Sequence, residues 1–224
     1  MKLFFYSGGT ERMNAHLNEE LWGCVQHKKF PRMTYIPACS WGLEEYFKEV
    51  KHTYMHLGFA AVGCFPVDTK FSAKELQHAL DADVIYLSGG NTFYFLKYLR
   101  ENGMLPKLKK YVENGGVLMG LSAGSIIMTS NIVMAGIPKF DCDPNDVKLK
   151  NLKSLGLVHF EFAPHYSGKK KVDVELLKHS KTINHPIYAC SDWDGIVVNS
   201  DSGRLTFHGD VTMFYKGKKV GSLE

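Results

Sequence analysis

Residues 115–125 read Gly-Gly-Val-Leu-Met-Gly-Leu-Ser-Ala-Gly-Ser and join a strand-like segment to a helix-like one. Residues 117–119 have the apolar character of a buried strand end, and residues 126–128 open an apolar run of helical character. Between them, residues 120–124 fit the pattern G-x-S-x-G. A strand that passes through this pattern directly into a helix is typical of a nucleophile elbow. The stretch therefore predicts an α/β fold with Ser122 at the carboxyl end of a central strand.

The residues around Ser122 are small, as the apex of such a turn requires. A serine at the apex adopts a strained backbone conformation beside which only small residues fit, and Gly120, Ala123 and Gly124 meet that condition. The turn would expose the Oγ atom of Ser122 and place the backbone N–H of Ala123 at a helix N-terminus, where negative charge is favoured. The same glycines also suit an ordinary strand–helix turn, so catalysis is predicted only together with partners for the serine.

Short apolar runs alternate with helical patterns through the first half of the chain. The strands predicted before the elbow are residues 2–6, closed by a turn at 7–9, then 33–36, 61–65 and 84–87. The predicted helices are residues 12–27, 43–57, 72–80, 93–99 and 105–112. Ser72 is the predicted N-cap of the third helix, with Glu75 three residues further on. This alternation predicts a parallel sheet covered by helices on both faces, with ligands bound beyond the carboxyl ends of its strands.

The second half of the chain follows a different pattern. Residues 135–152 are polar and loop-like, and one helix is predicted after them, at residues 172–179. The predicted strands are residues 160–163, 187–190, 195–199, 205–207 and 211–215. The last three are expected to be antiparallel and joined by turns at residues 201–203 and 209–210. The predicted fold is a three-layer α/β sandwich with a mostly parallel central sheet, helices on both faces and a C-terminal antiparallel extension, in a single domain of residues 1–224.

Composition and charge argue against nucleic acid as a partner. The 224 residues are 45% hydrophobic and 22% charged, which is ordinary for a soluble globular protein. The net charge of +4 comes from 27 basic and 23 acidic residues, and the basic residues are scattered apart from the run at 169–171. Because no basic stripe with interleaved aromatic residues is present, nucleic acid is not an expected partner.

The cysteines and the apolar segments indicate a cytoplasmic protein. The five cysteines are odd in number, widely spaced and without a C-x-x-C pair, which argues against a disulfide scaffold or a zinc site. The N-terminus lacks the pattern of a signal peptide, and no apolar stretch approaches the length of a membrane span. We therefore expect no membrane partner, no metal and no cofactor.

A serine nucleophile needs a base and a group that orients the base. Of the ten histidines, His165 has the most suitable position, in a Pro- and Gly-bracketed loop directly after a predicted strand. The strand at residues 187–190 is followed at once by Asp192 and Asp194, and either carboxylate is a candidate for the orienting acid. Spacing alone does not separate these two aspartates.

The oxyanion of such a reaction needs two N–H donors. Ala123 is one candidate, and Gly89 and Gly90 end a neighbouring strand where backbone amides can approach a ligand. Two alternatives stay open at this point. An esterase of the α/β-hydrolase type has the order serine, acid, histidine, so Asp192, Asp194 or Asp201 would precede His208. A non-catalytic binding protein could also keep the elbow for packing.

With these residues identified, the sequence resembles the peptidase E family of serine peptidases, whose fold is like that of class I glutamine amidotransferases. The similar segments are residues 88–92, 120–125 and 163–166, together with Asp192, and they occur in the same order over nearly the whole chain. The best-known activity of the family is cleavage of dipeptides with an N-terminal aspartate, and cyanophycinases are related to it. The resemblance therefore implies a serine peptidase that acts on small peptides.

The resemblance also implies roles for individual residues. Ser122 would attack the substrate, His165 would act as base, Asp192 would orient the base, and Gly90 and Ala123 would supply the oxyanion hole. The residues expected to contact substrate are Gly89, Asn91, Tyr166, Lys169 and Lys170. The expected partner is a small peptide substrate, and a homodimer is left open.

Two departures from the aspartyl dipeptidases stand out. The acid at position 192 is aspartate, where those enzymes carry glutamate. The loop after His165 is shorter, and their arginine for the substrate aspartate has no clear counterpart. A lysine at 169–171 would supply a positive charge there without bidentate geometry. These departures leave the aspartyl preference open.

Overall fold

In the computed structural model, which describes residues 1–10, 13–199 and 202–223, strands and helices alternate through the first half of the chain. The strands there are β1 (Lys2–Tyr6), β2 (Arg32–Ile36), β3 (Ala61–Cys64), β4 (Val84–Leu87) and β5 (Val117–Leu121). The helices are α1 (Ala15–Val25), α2 (Leu43–Leu57), α3 (Ala73–Leu80), α4 (Thr92–Glu101), α5 (Met104–Glu113) and α6 (Ala123–Met128). The second half contains β6 (Glu161–Ala163), α7 (Lys170–Ser180), β7 (Ile187–Cys190), β8 (Gly195–Asn199), β9 (Arg204–His208), β10 (Val211–Tyr215) and β11 (Lys218–Leu223).

The central sheet has seven strands in the order β3-β2-β4-β5-β1-β8-β9. The strands from β3 to β1 are parallel to one another, and β8 and β9 extend the sheet with antiparallel pairing. The elbow strand β5 lies between β4 and β1, so both of its edges are paired and its apolar residues are buried. The prediction of a mostly parallel sheet is therefore confirmed.

Helices cover both faces of this sheet, and successive residues of β1 belong to two separate cores. Phe4 and Tyr6 pack with α1 and α2, whereas Leu3 and Phe5 pack with the core formed by α4, α5 and α6. The predicted N-cap of α3 is present as a capping box, with the N–H of Glu75 donating to Ser72 Oγ and the N–H of Ser72 donating to the Glu75 carboxylate. No helix within the described part of the chain is both long and apolar enough to span a membrane.

The C-terminal strands correct one part of the prediction. β8 and β9 are antiparallel as expected, but β10 does not continue from β9 across a turn at residues 209–210. Instead β10 joins a separate four-stranded sheet with the order β11-β10-β7-β6. The reason is burial, since Phe214 of β10 is fully buried in the same core as Phe162 and Ile187. This second sheet packs on the α6 side of the central sheet, with Phe162 and Phe5 ring centroids 5.5 Å apart.

Candidate active site

The turn that carries Ser122 is tight and has an unusual backbone conformation. Ser122 lies between β5 and α6 with φ 49° and ψ −105°, a conformation that non-glycine residues rarely adopt. A Cβ atom on Gly120 would lie 2.6 Å from the carbonyl oxygen of Gly124, and one on Gly124 would lie 2.7 Å from the carbonyl carbon of Leu87. The close approach of these backbones explains why glycine occupies both positions.

The structure brings Ser122, His165 and Asp192 into one chain of hydrogen bonds. His165 Nε2 lies 2.8 Å from Ser122 Oγ, and His165 Nδ1 lies 2.6 Å from Asp192 Oδ1. Because an ionised carboxylate can only accept, Nδ1 carries the proton in this arrangement and Nε2 is free to accept one from the serine. The side chains of His165 and Asp192 are 53% and 49% exposed, so the hydrogen-bonded chain is open to substrate from solvent.

The histidine and the aspartate come from neighbouring strands of the second sheet. β6 and β7 are parallel, so the loops that carry His165 and Asp192 leave the same edge of that sheet. His165 has φ 56°, and Trp193, directly after Asp192, has φ 73°. Of the five non-glycine residues with positive φ in the described chain, Ser122, His165 and Trp193 lie here. Strained backbone of this kind is concentrated at functional sites.

The structure separates the two candidate aspartates. The carboxylate of Asp194 lies beside Gly209, and the backbone carbonyl of Asp194 accepts a hydrogen bond from the N–H of Ser7 at 3.0 Å. Burial raises the pKa of Asp194 above its ordinary value. A hydrogen bond from the backbone of Asp210 lowers this pKa in part, and the negative charge of Asp210 raises it. Asp192 is therefore the aspartate in contact with the histidine.

Ser7 and Gly8 were predicted only as the turn after β1, yet they lie between the two loops. Ser7 is fully buried, and its Oγ donates to the carbonyl of Cys190 at 2.7 Å and accepts from the N–H of His165 at 2.8 Å. A Cβ atom on Gly8 would lie 2.6 Å from His165 Nδ1 and closer still to Asp192 Oδ1. The signal that could have identified them is their position at the carboxyl end of a strand, where ligand sites collect.

Gly90 and Ala123, the residues predicted for the oxyanion hole, lie at the ends of the two neighbouring strands β4 and β5. The N–H groups on either side of Ala123 are used, since Ser122 donates to Tyr6 and Gly124 donates to Ser88. Within the described residues, no acceptor is found for the N–H of Ala123 or of Gly90. Gly90 has φ 131°, and a Cβ atom there would lie 2.8 Å from that of Ala38, which restricts the position to glycine.

The other residues expected to contact substrate differ in their placement. Tyr166 and Lys169 line the cavity beside Ser122, whereas Gly89, Asn91 and Lys170 lie outside its lining. Asn91 is the N-cap of α4, where its Oδ1 accepts from the N–H of Tyr94, and its Nδ2 donates to the carbonyl of Pro144. Both polar atoms of Asn91 are therefore engaged within the protein.

The esterase-type arrangement with His208 is not present. His208 lies on β9 at the edge of the central sheet, and its Nε2 is 2.8 Å from Glu20 Oε2. Two strands separate β9 from the elbow strand. Asp201, one of the acids considered for that arrangement, lies outside the described residues. No group of three or more metal-ligating side chains is found among the residues that the structure describes.

Several known proteins are similar to this chain. The model of peptidase family S51 matches residues 3–206. An uncharacterized peptidase from Listeria innocua is 30% identical over 180 residues, which span 75% of this chain and 81% of the relative. A protein named peptidase E from Pasteurella multocida is 27% identical over 158 residues, which span 63% of this chain and 62% of that protein.

Two crystal structures share the fold. A candidate peptidase E from Listeria monocytogenes, with 24% identity, has a TM-score of 0.68 over 96% of this chain and 98% of the other. A peptidase from an acI-B1 Actinobacterium, with 17% identity, has a TM-score of 0.69 over 100% of this chain and 95% of the other. These structural similarities confirm the predicted class I glutamine amidotransferase-like fold. The family match and the relative named peptidase E confirm the predicted relationship to peptidase E. Since the family match extends over residues 3–206, the chain belongs to peptidase family S51.

Proposed function

We propose that this peptidase is a serine-type enzyme that hydrolyses small peptides through an acyl-enzyme on Ser122. The observation that carries the proposal is the continuous hydrogen-bonded chain from Asp192 through His165 to Ser122. A serine hydroxyl is a weak nucleophile at neutral pH, and a histidine base held in one tautomer by a carboxylate activates it.

In the acylation step, Ser122 Oγ attacks the scissile carbonyl carbon while His165 Nε2 takes the hydroxyl proton. Asp192 stabilises the imidazolium that forms, because it accepts the hydrogen bond from Nδ1. The carbonyl oxygen becomes an oxyanion, and the N–H groups of Gly90 and Ala123 are its proposed donors. Losing one donor of this kind typically costs about 10² to 10³ in rate.

The second half of the cycle reverses these proton transfers. His165 gives its proton to the leaving amine as the C–N bond breaks, which leaves an ester on Ser122. His165 then takes a proton from water, whose oxygen attacks the ester carbonyl. The bond from carbon to Oγ breaks, and the proton returns to Ser122. All atoms come from the peptide, the water and these side chains, so the cycle needs no further reactant.

Two finer predictions remain, a cytoplasmic location and a preference for an N-terminal aspartate, and only the first is part of this proposal. A cytoplasmic location is supported by the five free cysteines, which suit a reducing compartment. The preference for an N-terminal aspartate rests on the resemblance alone and requires a positive charge near the substrate side chain. Of the three lysines at residues 169–171, Lys169 and Lys171 line the cavity beside Ser122.

The proposal is tested by labelling with a fluorophosphonate and by turnover of a panel of Xaa-Leu dipeptides. We expect the probe to label Ser122, and the Ser122→Ala and His165→Ala variants to lose about 10⁴-fold or more in kcat. Ser202→Ala, at an exposed turn remote from the site, is the matched control and should keep full activity. A folded protein that is not labelled, and whose turnover survives Ser122→Ala, would instead be a non-catalytic relative or an enzyme of another mechanism.

A further inference from the structure

A cavity of about 570 Å³ opens beside Ser122, between α6, α7 and the polar segment that follows α6. This volume lies in the range of small-molecule sites. Its lining includes Gly90, Ser122 and His165, so a carbonyl carbon in reach of the serine would direct its nearest side chain into the cavity. The residues that line the cavity therefore influence which substrate side chain is accepted on the acyl side of the scissile bond.

The buried walls of the cavity are apolar. Apart from Thr92, the buried lining residues are Ile126, Met134, Ala135, Ala163, Tyr166, Val172 and Leu176. The hydroxyl of Tyr166 is engaged within the protein, since it donates to Asp173 Oδ1 at 2.6 Å and Asp173 is held by Lys219 at 2.7 Å. Each methylene that a substrate buries against these walls is removed from water, which favours binding of an apolar side chain.

The charged residues lie at the mouth of the cavity and include both signs. Lys169 and Lys171 are exposed, and the Nζ of Lys171 lies 3.9 Å from the ring centroid of Phe140. Asp141 and the half-buried Asp143 also line the cavity, and their negative charges would repel a substrate carboxylate. Among the described lining residues, no positively charged side chain is buried. A carboxylate buried against the apolar walls would therefore be desolvated with no buried cation beside it, which is unfavourable.

We propose that this cavity selects an apolar side chain, such as that of leucine, methionine or phenylalanine, on the acyl side of the scissile bond, and disfavours aspartate there. The inference rests on the proposed serine mechanism, because Ser122 defines which substrate residue enters the cavity. It names apolar small peptides as the substrate class of the same site.

The first test compares Leu-Leu, Met-Leu and Phe-Leu with Asp-Leu as substrates of the full chain. We expect kcat/KM for the best apolar dipeptide to exceed that for Asp-Leu at least tenfold, since apolar contacts of one or two methylenes give discrimination of about that size. Equal values, or faster cleavage of Asp-Leu, would overturn the inference.

The second test places a charge in the cavity. Val172 is 8% exposed and lines it, so Val172→Arg should lower the ratio of apolar to aspartyl cleavage at least tenfold. Val174, two residues further along α7, is 56% exposed and outside the lining, so Val174→Arg should leave the ratio unchanged. An unchanged ratio in folded Val172→Arg would contradict the inference. If that variant does not fold, the wild-type ratio alone decides.

Fluorophosphonate labelling separates the two proposals. If the wild-type protein is labelled on Ser122 but prefers Asp-Leu, the serine mechanism stands and the apolar selectivity is wrong. A folded protein that is not labelled, with turnover that survives Ser122→Ala, overturns the serine mechanism and the selectivity that depends on it.

Discussion

The two sheets contribute different halves of the candidate site. The seven-stranded sheet supplies Ser122 and Gly90 from the ends of strands that are paired on both edges. The four-stranded sheet supplies His165 and Asp192 from the loops after β6 and β7. These two strands are short, with three and four residues. The position of Ser122 is thus determined by its own sheet. The positions of His165 and Asp192 depend in addition on contacts with the larger sheet.

That support comes from the turn after β1 in the larger sheet. The N–H of Ser7 donates to the carbonyl of Asp194, and the N–H of Trp193 donates to the carbonyl of Gly8. The side chain of Ser7 adds the contacts to His165 and Cys190. The alignment of Ser122, His165 and Asp192 therefore depends on a contact between the two sheets. Substitutions along this contact should lower kcat more than they lower the free energy of unfolding.

Among substitutions along this contact, the largest effect is expected for Gly8→Ala, which acts on the contact directly. The new Cβ would overlap Asp192 Oδ1 and the ring of His165. Both are ends of side chains that can move aside, so the fold should survive while the histidine loses its orienting acid. We expect kcat to fall between about 10²-fold, for a misplacement of 1 Å, and about 10⁴-fold, for loss of the acid's function, with little change in Tm.

Gly23→Ala is the matched control for Gly8→Ala. Gly23 lies within α1, and a Cβ atom there would meet nothing within 4 Å. This substitution should leave kcat unchanged and stabilise the protein by up to about 1 kcal/mol, because alanine is the better helix former. Full activity in Gly8→Ala would mean that the contact between His165 and Asp192 does not matter for turnover.

A smaller effect is expected for Ser7→Ala, which loosens the same contact. The carbonyl of Cys190 keeps a second donor, the N–H of Tyr166, but the N–H of His165 loses its acceptor. We expect a ten- to a hundredfold loss of kcat with KM nearly unchanged, as one buried hydrogen bond is worth about 1 to 3 kcal/mol when a partner is left unsatisfied.

Ser180→Ala shows what a loss of stability alone would do. Ser180 is also fully buried, and its Oγ likewise donates to a carbonyl, of Leu177, and accepts from an N–H, of Gly217. It should lower the free energy of unfolding by a similar amount in chemical denaturation and leave kcat unchanged. Equal losses of kcat in the two serine variants would reduce Ser7 to a structural residue.

The larger sheet was predictable from sequence because its signals are local. The bounds of α2 and β4 agree with the prediction at both ends, since apolar periodicity and flanking glycines determine them. Strands β6, β7 and β10 of the smaller sheet were also predicted, and β7 and β10 have the predicted bounds. Their assembly into a separate sheet was not predictable, because strand pairing is non-local. β9 and β10 have similar alternating sequences, but Val211 and Phe214 of β10 are fully buried, whereas no residue of β9 is. β11 escaped prediction because its exposed sequence, KKVGSL, is largely polar.

The candidate site divides in the same way. The elbow and the loop of His165 could be identified because each follows a strand directly in the sequence. The choice between Asp192 and Asp194 depends on a left-handed turn at Trp193, and the role of Ser7 depends on which loops meet after folding. Neither of these long-range features leaves a pattern in the local sequence.

Within the smaller sheet, a buried contact between a carboxylate and two histidines can be tested with Glu161→Gln. Glu161, the first residue of β6, is 1% exposed, and its carboxylate is 2.6 Å from His179 Nε2 and 3.4 Å from His185 Nε2. Burial alone would raise the pKa of Glu161, but the hydrogen bonds and charges of the two histidines lower it below the ordinary value. We expect the substitution to cost about 1 kcal/mol at neutral pH, the difference between a charged and a neutral hydrogen bond.

The pH dependence gives the sign of this contribution. A carboxylate with a lowered pKa in the folded state stabilises fully above its unfolded pKa of about 4.3, and the contribution is lost as pH falls through the folded value. The gap in unfolding free energy between wild type and Glu161→Gln should therefore shrink below about pH 4.3. Glu49→Gln, at an exposed position of α2, should show no gap at any pH. A gap that widens on acidification would exclude this account of Glu161.

The smallest effect is expected for His208→Ala at the far edge of the larger sheet. Its Nε2 contacts Glu20 at 2.8 Å, and a partly exposed pair of this kind contributes less than about 1 kcal/mol to stability. Because β8 and β1 separate β9 from the elbow strand, kcat should stay within about twofold of wild type, in contrast to the loss in His165→Ala. The reverse outcome, turnover that survives His165→Ala and is lost in His208→Ala, would require the serine, acid, histidine order of an esterase. It would also mean that the base comes from the larger sheet, so that the contact through Ser7 has no part in aligning it.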